Sequence, residues 1–268
     1  MDKEKFVRAT PPSKQQSSVK QVTLVELVQA FPEVFERSVG TLPGTVHLEV
    51  EPDATPVVVP SRRIPTALKE SFKKELERLV RDKIIAPVEQ PTPWVSSLVV
   101  TTKTSGALRI SIDPRPLNKA LKRETYQMPV LDELLPELAQ AKVFSTVDLR
   151  SGFWHCVLDE QSSLLTTFST PHGRYRWLRL PFGLSVSPEI FQKRLNQAIE
   201  GLDGVLNIAD DILIYGVGDT EETANADHDA KLQALLERCR DHGVVLNQEK
   251  LKLRVKQVKF MGHLTDNG

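Results

Sequence analysis

A chain of 268 residues, 40% hydrophobic and 26% charged, can bury one large core or two smaller ones and has ordinary globular composition. No apolar run approaches the roughly 18 residues that a membrane-spanning helix needs, and the polar opening "MDKEKFVRATPPSKQQSSVK" lacks the apolar stretch of a secretory signal. Net charge is zero but unevenly spread: residues 61–125 hold fourteen Lys/Arg against seven Asp/Glu, residues 201–241 three against ten, and residues 249–260 five against one.

A basic lobe and a basic tail around an acidic centre suit a polyanion held near bound cations. Solvated helix faces still account for most individual lysines. Cys156 and Cys239 have no metal or redox spacing and lie in apolar-patterned segments, so buried thiols in a reducing compartment are expected.

In chain order, residues 1 to about 22 read as disordered. Thr23 and Glu26 have the spacing of a capping box, which predicts a short helix over "TLVELVQAFPEVFERSV", followed by a Pro-rich extended connection. Over residues 66–82, Leu68, Phe72, Leu76, Leu79 and Val80 form one helical stripe behind Pro65. "VSSLVVTTKTSGALRISID" reads as two strands around a Ser-Gly turn. A helix over "PVLDELLPELAQA" and a strand over "KVFSTVDL" follow. "LPFGLSVSPEIFQKRLNQAIE" reads as a turn and then a helix capped by Ser187, with Pro188 at its first position. "NADHDAKLQALLERCRDHG" is an amphipathic helix stopped by Gly243, and "VVLNQEKLKLRV" and "KQVKFMGHL" read as short strands. Hairpins mixed with helices, rather than repeated βαβ units, predict an α+β fold.

The chemistry centres on "VLNIADDILIYG", residues 205–216. Two short, β-branched runs with almost nothing between them predict a tight hairpin with Asp210 and Asp211 at its turn. Two like charges at the edge of a core repel and resist desolvation unless a cation is present. Mg²⁺, a hard ion held by carboxylates and phosphate oxygens, would resolve the conflict. The dipeptide alone leaves a metal site and a plain turn equally open. Asp148 ends one face of the alternating strand "VFSTVDL", where it could bring a third carboxylate to the same sheet edge.

With these residues in view, the chain resembles the reverse transcriptases, most closely those of gypsy-class LTR retrotransposons, relatives of the retroviral enzymes. "FSTVDLRSGFWHCVL", "TTFSTPHGRYRWLRLPFGLSVSPEIFQ", "IADDILIYG" and "VKFMGH" carry the resemblance in order, and "SRRIPTALKESF…" and "RISIDPRPLN" resemble the fingers. It implies a right-hand polymerase fingers–palm with an antiparallel palm sheet packed on helices. Residues 1–44 would be a polar tail and linker helix and 45–268 the polymerase part, with fingers mainly 60–125 and palm mainly 126–268. The chain ends soon after the last motif, so no thumb is expected within it.

The resemblance further implies that Asp148, Asp210 and Asp211 hold two Mg²⁺ ions, with Mn²⁺ as a substitute, and transfer deoxynucleotides to a primer 3′ end. Lys103 and Arg109 would grip the incoming deoxynucleoside triphosphate. Phe153 would block a ribose 2′-hydroxyl, Phe182 would line the nucleotide pocket, and Lys250 would protonate pyrophosphate. Gln192 would lie beneath the template, with a solvated helix residue as its plainer alternative, and Met261 and Gly262 would belong to the primer grip. The partners implied are an RNA or DNA template with its primer, with no membrane. The whole polyprotein would also carry RNase H and act inside the cell, in a cytoplasmic particle. A departure is Ile208, two residues before the Asp pair, where the family usually has an aromatic. The rival expectation is a palm without catalysis, retained as a nucleic-acid or protein binding module.

Overall fold

Antiparallel ladders dominate the molecule, each formed where β-branched runs alternate, and helices cover one face of the largest sheet. The computed structural model describes residues 23–102, 106–123, 126, 138–208, 211–260 and 263–266, with the backbone alone at 208, 257–260 and 263–266. The elements run α1 (Leu24–Ala30), β1 (Thr45–Val46), α2 (Lys69–Arg81), β2 (Ile85–Val88), β3 (Ser97–Thr102), β4 (Leu108–Asp113), α3 (Arg115–Ala120) and β5 (Ala141–Asp148). They continue β6 (Val157–Leu158), α4 (Glu160–Leu165), β7 (Phe168–Thr170), β8 (Gly173–Trp177), α5 (Ser187–Ile199), β9 (Val205–Ile208) and β10 (Asp211–Val217). Last come α6 (Glu221–Asp241), β11 (Lys252–Val255), β12 (Gln257–Phe260) and β13 (His263–Asp266).

The central sheet has the order β11-β5-β10-β9, all antiparallel. Alternation along β5 decides what each face meets. Val147 joins Ile212 and Ile214 in the main core with Leu232 and Leu235 of α6, whereas Phe144 packs with Leu213 and Tyr215 in a smaller cluster on the other face. The second sheet, β2-β8-β7, and the hairpin β3–β4 extend the same core through Ile85, Leu98, Ile110, Phe168 and Trp177. The expected α+β architecture is what the chain forms, and β9 and β10 pair antiparallel as expected, while residues 209–210 between them lie outside the described residues.

The segment expected to be a tail and linker helix is, from residue 23 onward, part of this core. The capping box of Thr23 and Glu26 starts α1 as expected. Leu27, Phe31, Val34, Phe35 and Leu42 are buried in the main core cluster, because so apolar a strip gains more from that core than from water. In α2 the predicted stripe holds for Phe72, Leu76 and Leu79, which are buried, but Val80 is exposed.

Three local expectations differ. Ser187 does not cap α5: it is buried, and its hydroxyl donates to the Pro181 carbonyl (2.9 Å) because the preceding turn folds back over it. Helix α6 starts at Glu221 rather than Asn225, since Thr220 and Thr223 satisfy each other's amide groups in a capping box. Residues 244–255 are not one strand. Asn247 accepts from the Glu249 amide and opens a 3-10 turn over Gln248–Lys250 before β11 begins. The helix expected over "PVLDELLPELAQA" falls largely outside the described residues.

Candidate active site

Asp148 ends β5 and Asp211 begins β10, and the ladder sets them directly opposite each other. Directly paired residues of an antiparallel ladder share a face, with Cα atoms about 4.5–5.5 Å apart. Both therefore lie on the face opposite α6. The Asn247 amide donates to the Asp148 carbonyl (2.8 Å), which brings the Gln248–Lys250 turn alongside, and the Lys250 ammonium sits on Asp148 Oδ2. Of the expected site residues, Asp210, Lys103, Met261 and Gly262 lie outside the described residues.

Ser151, in the left-handed region at φ 58°, turns the chain after β5 into a 3-10 turn over Gly152–His155 that carries Phe153. Phe153 packs on Phe182 (ring centroids 4.9 Å apart) and Phe191 (5.5 Å), and stays partly exposed. The Arg109 guanidinium lies 4.4 Å over the Phe182 ring. Gly183 explains the proximity of β4 to this turn: at φ 111° it presses so close that a Cβ would stand 2.4 Å from the Ile112 carbonyl. Asn118 clamps the same turn, donating to the Gly183 carbonyl and accepting from the Ser185 amide, both at 2.9 Å.

Arg109, Phe182 and Lys250 line one cleft of about 880 Å³, together with Arg37, Arg150 and Arg179. A more open depression of about 980 Å³, lined by Trp94, Asp113, Arg115 and others, contains none of the expected site residues. Asp113 there is held below the usual carboxylate range, chiefly by its hydrogen bond from Arg115.

Gln192 rules out the plainer alternative of a solvated helix residue. It is buried, and its Nε2 donates to the Asn207 carbonyl (3.1 Å) and to Asn196 Oδ1 (3.0 Å). Its side chain ties α5 to β9, the strand that leads towards the Asp pair.

Two buried histidines went unnoticed in the sequence. His155 donates from Nδ1 to the Gly152 carbonyl (3.0 Å) and accepts at Nε2 from the Val245 amide (3.0 Å). Burial pushes its pKa down to about 4, so it is neutral. His228 joins a closed ring. The Arg254 amide donates to Ser145 Oγ (2.9 Å), Ser145 meets His228 Nε2 (2.8 Å), and His228 Nδ1 meets Asp229 Oδ1 (3.1 Å). Asp229 then accepts from Arg254 Nε (2.8 Å). Arg254 has φ 49° at a register shift in β11, so the ring holds a bulge across from β5, three residues ahead of Asp148. Burial lowers the His228 pKa as well. Cys156 and Cys239 are buried thiols, both pushed up to about 12 by desolvation.

Two carboxylates on one face offer hard oxygen donors for a divalent cation, and Asp148 already attracts an ammonium. The residues present thus fit a metal of that class. Residues 101–265 match the family described as reverse transcriptase (RNA-dependent DNA polymerase). The chain is 34% identical over 203 residues to the enzymatic polyprotein of Cauliflower mosaic virus (strain Strasbourg), covering 75% of this chain and 29% of that protein. It is 31% identical to the retrovirus-related Pol polyprotein from transposon 412 of Drosophila melanogaster, covering 91% of this chain and 21% of the other. The chain thus spans less than a third of either relative. Its fold matches the foamy viral protease-reverse transcriptase in complex with RNA/DNA hybrid, with a TM-score of 0.77 at 22% identity over 90% of this chain and 32% of that one. By its motifs, its fold and this matched stretch, the chain belongs to the reverse transcriptase family.

Proposed function

We propose that this chain is the fingers–palm part of an RNA-directed DNA polymerase from a retroelement Pol polyprotein of the gypsy class. It would add deoxynucleotides to a primer 3′ end on an RNA or DNA template. The observation that carries the reading is the in-register pair Asp148 and Asp211, joined through Lys250 to the cleft that Arg109 lines.

Asp148 and Asp211, with Asp210, would hold two Mg²⁺ ions, which supply charge neutralisation at the attacking and leaving oxygens. The other roles belong to the chain's own side chains. Arg109 offers planar donors to the triphosphate, and its stacking on Phe182 fixes the guanidinium in place. Phe153, wedged between Phe182 and Phe191, presents a ring edge beneath the sugar. Lys250 supplies a proton to the departing pyrophosphate; a positioned donor of this kind contributes roughly 10²–10⁴ in rate. Gln192 acts indirectly, by fixing β9.

The pairing of Asp148 with Asp211 supports this reading over a purely binding module. Primer extension by the purified chain on matched RNA and DNA templates tests the reading. Mg²⁺-dependent incorporation on RNA supports it, and a chain that binds primer–template without extending it on either template overturns it.

A further inference from the structure

Arg37 stands far in sequence from every motif that identifies the family, yet it lines the cleft that holds Arg109, Phe182 and Lys250. We propose that Arg37, backed by Arg179, forms an additional wall of that cleft that binds a diphosphate group. The group is either the terminal phosphates of the incoming nucleotide or the pyrophosphate released. The proposal rests on the polymerase reading above.

The segment that carries Arg37 is firmly seated. The Leu246 amide donates to the Val34 carbonyl (2.8 Å), the Thr41 amide to Gly243 (2.7 Å) and the Leu42 amide to His155 (2.9 Å). At Gly40 a Cβ would stand 2.3 Å from His155 Nε2, so only glycine lets the segment lie this close. Two of these bonds reach the stretch 243–246 that runs into the Lys250 turn. Arg37 is thus held to the same piece of backbone that positions Lys250.

Charge separates this wall from an ordinary basic surface. Arg78, also in the cleft, is neutralised by Glu75 (2.7 Å) and Asp82 (2.8 Å), and Lys250 by Asp148. Arg37, Arg150 and Arg179 have no acidic partner within ion-pair distance among the described residues, although Glu249 also lines the cleft, so the three guanidinium groups outnumber it. Arg179 is half-buried and gives one guanidinium nitrogen to three neutral oxygens: Gly40 (2.9 Å), Thr41 Oγ1 (2.9 Å) and Trp154 (3.1 Å). Burial lowers its pKa, yet an arginine stays protonated, so its charge is left uncompensated. Uncompensated guanidinium groups facing one concavity call for a compact polyanion, and phosphate oxygens match their fork of donors. Arg179 also pins Gly40 and Thr41, so it fixes the segment as well as adding charge.

The test compares wild type, Arg37→Ala, Arg37→Lys and, as a reference, Arg109→Ala. Arg37 is exposed and its side chain donates no hydrogen bond among the described residues, so its variants should unfold at the wild-type urea midpoint. Calorimetry with inorganic pyrophosphate should show binding weakened about tenfold in Arg37→Ala and largely restored in Arg37→Lys. Steady-state kinetics distinguish the two sources. A raised KM for deoxynucleotide marks a contact with the incoming triphosphate, and a raised KM for pyrophosphate in the reverse reaction alone marks the leaving group. Wild-type pyrophosphate affinity and unchanged KM values in a folded Arg37→Ala, beside a weakened Arg109→Ala, overturn the proposal and leave the polymerase reading intact. Absence of both extension and pyrophosphate binding in wild type overturns both.

Discussion

Asp211 stands directly across the ladder from Asp148, where β10 begins and β5 ends. Two distant positions in the sequence are thereby fixed on one sheet face by backbone pairing, which flexible loops could not do so reproducibly. The surrounding ladder is apolar and buried, with Val147, Ile212, Leu213 and Ile214 all within the core. A one-residue slip in register would move either carboxylate to the α6 side, so burial protects the geometry.

Sugar selection tests the placement of Phe153. Replacing it with valine opens space beneath the ribose but keeps an apolar side chain against Phe182 and Phe191. We expect Phe153→Val to raise the efficiency of ribonucleotide relative to deoxynucleotide incorporation by roughly tenfold or more, about 1.4 kcal/mol in relative barrier. A ratio that stays at the wild-type value in primer-extension kinetics would mean that Phe153 serves only packing.

The ring around the β11 bulge predicts strong coupling between its members. Ser145→Ala removes the buried hydroxyl that the Arg254 amide and His228 Nε2 both meet. The expected loss is roughly 1–3 kcal/mol of unfolding free energy. Once His228 is leucine, removing the Ser145 hydroxyl should cost less, since one of its partners has gone, so a double-mutant cycle in urea should give a coupling of about 1 kcal/mol. Additive costs would show that the ring is not energetically closed.

His155 sets a pH dependence. Its folded pKa, about 4, lies below the ordinary histidine value of 6.5, so the unfolded chain takes up a proton that the folded chain refuses. Stability is therefore present in full above neutral pH and falls as pH drops from 6.5 towards 4. His228, shifted in the same direction, adds to the loss. Between about pH 7.5 and 5.5 the His155 share should be roughly 1–2 kcal/mol. Urea midpoints across that range check it, and a flat profile would contradict the assignment.

What the sequence made legible was whatever local pattern controls. The hairpin at 205–216 followed from two short β-branched runs, and the position of Asp148 from strict alternation along β5. The capping box at Thr23 worked for the same reason. Residues whose role depends on distant partners were not legible. Nothing near Gln192 in sequence announces the Asn207 carbonyl that draws it inward, and Ser187 looked like a cap until Pro181 claimed its hydroxyl. Arg179, Asn118 and His155 likewise act by bonds to backbone far along the chain, which periodicity cannot register.

The central claim is that paired carboxylates make this fold a metal-dependent polymerase, and one measurement addresses it most directly. Primer extension across a Mg²⁺ titration should be compared for wild type and Asp148→Asn, with urea midpoints recorded beside it. The substitution keeps the size of the side chain and removes a charged ligand, so extension should fall by orders of magnitude, about 10²-fold or more, while the fold persists. Equal, metal-independent extension by the two proteins would contradict the account.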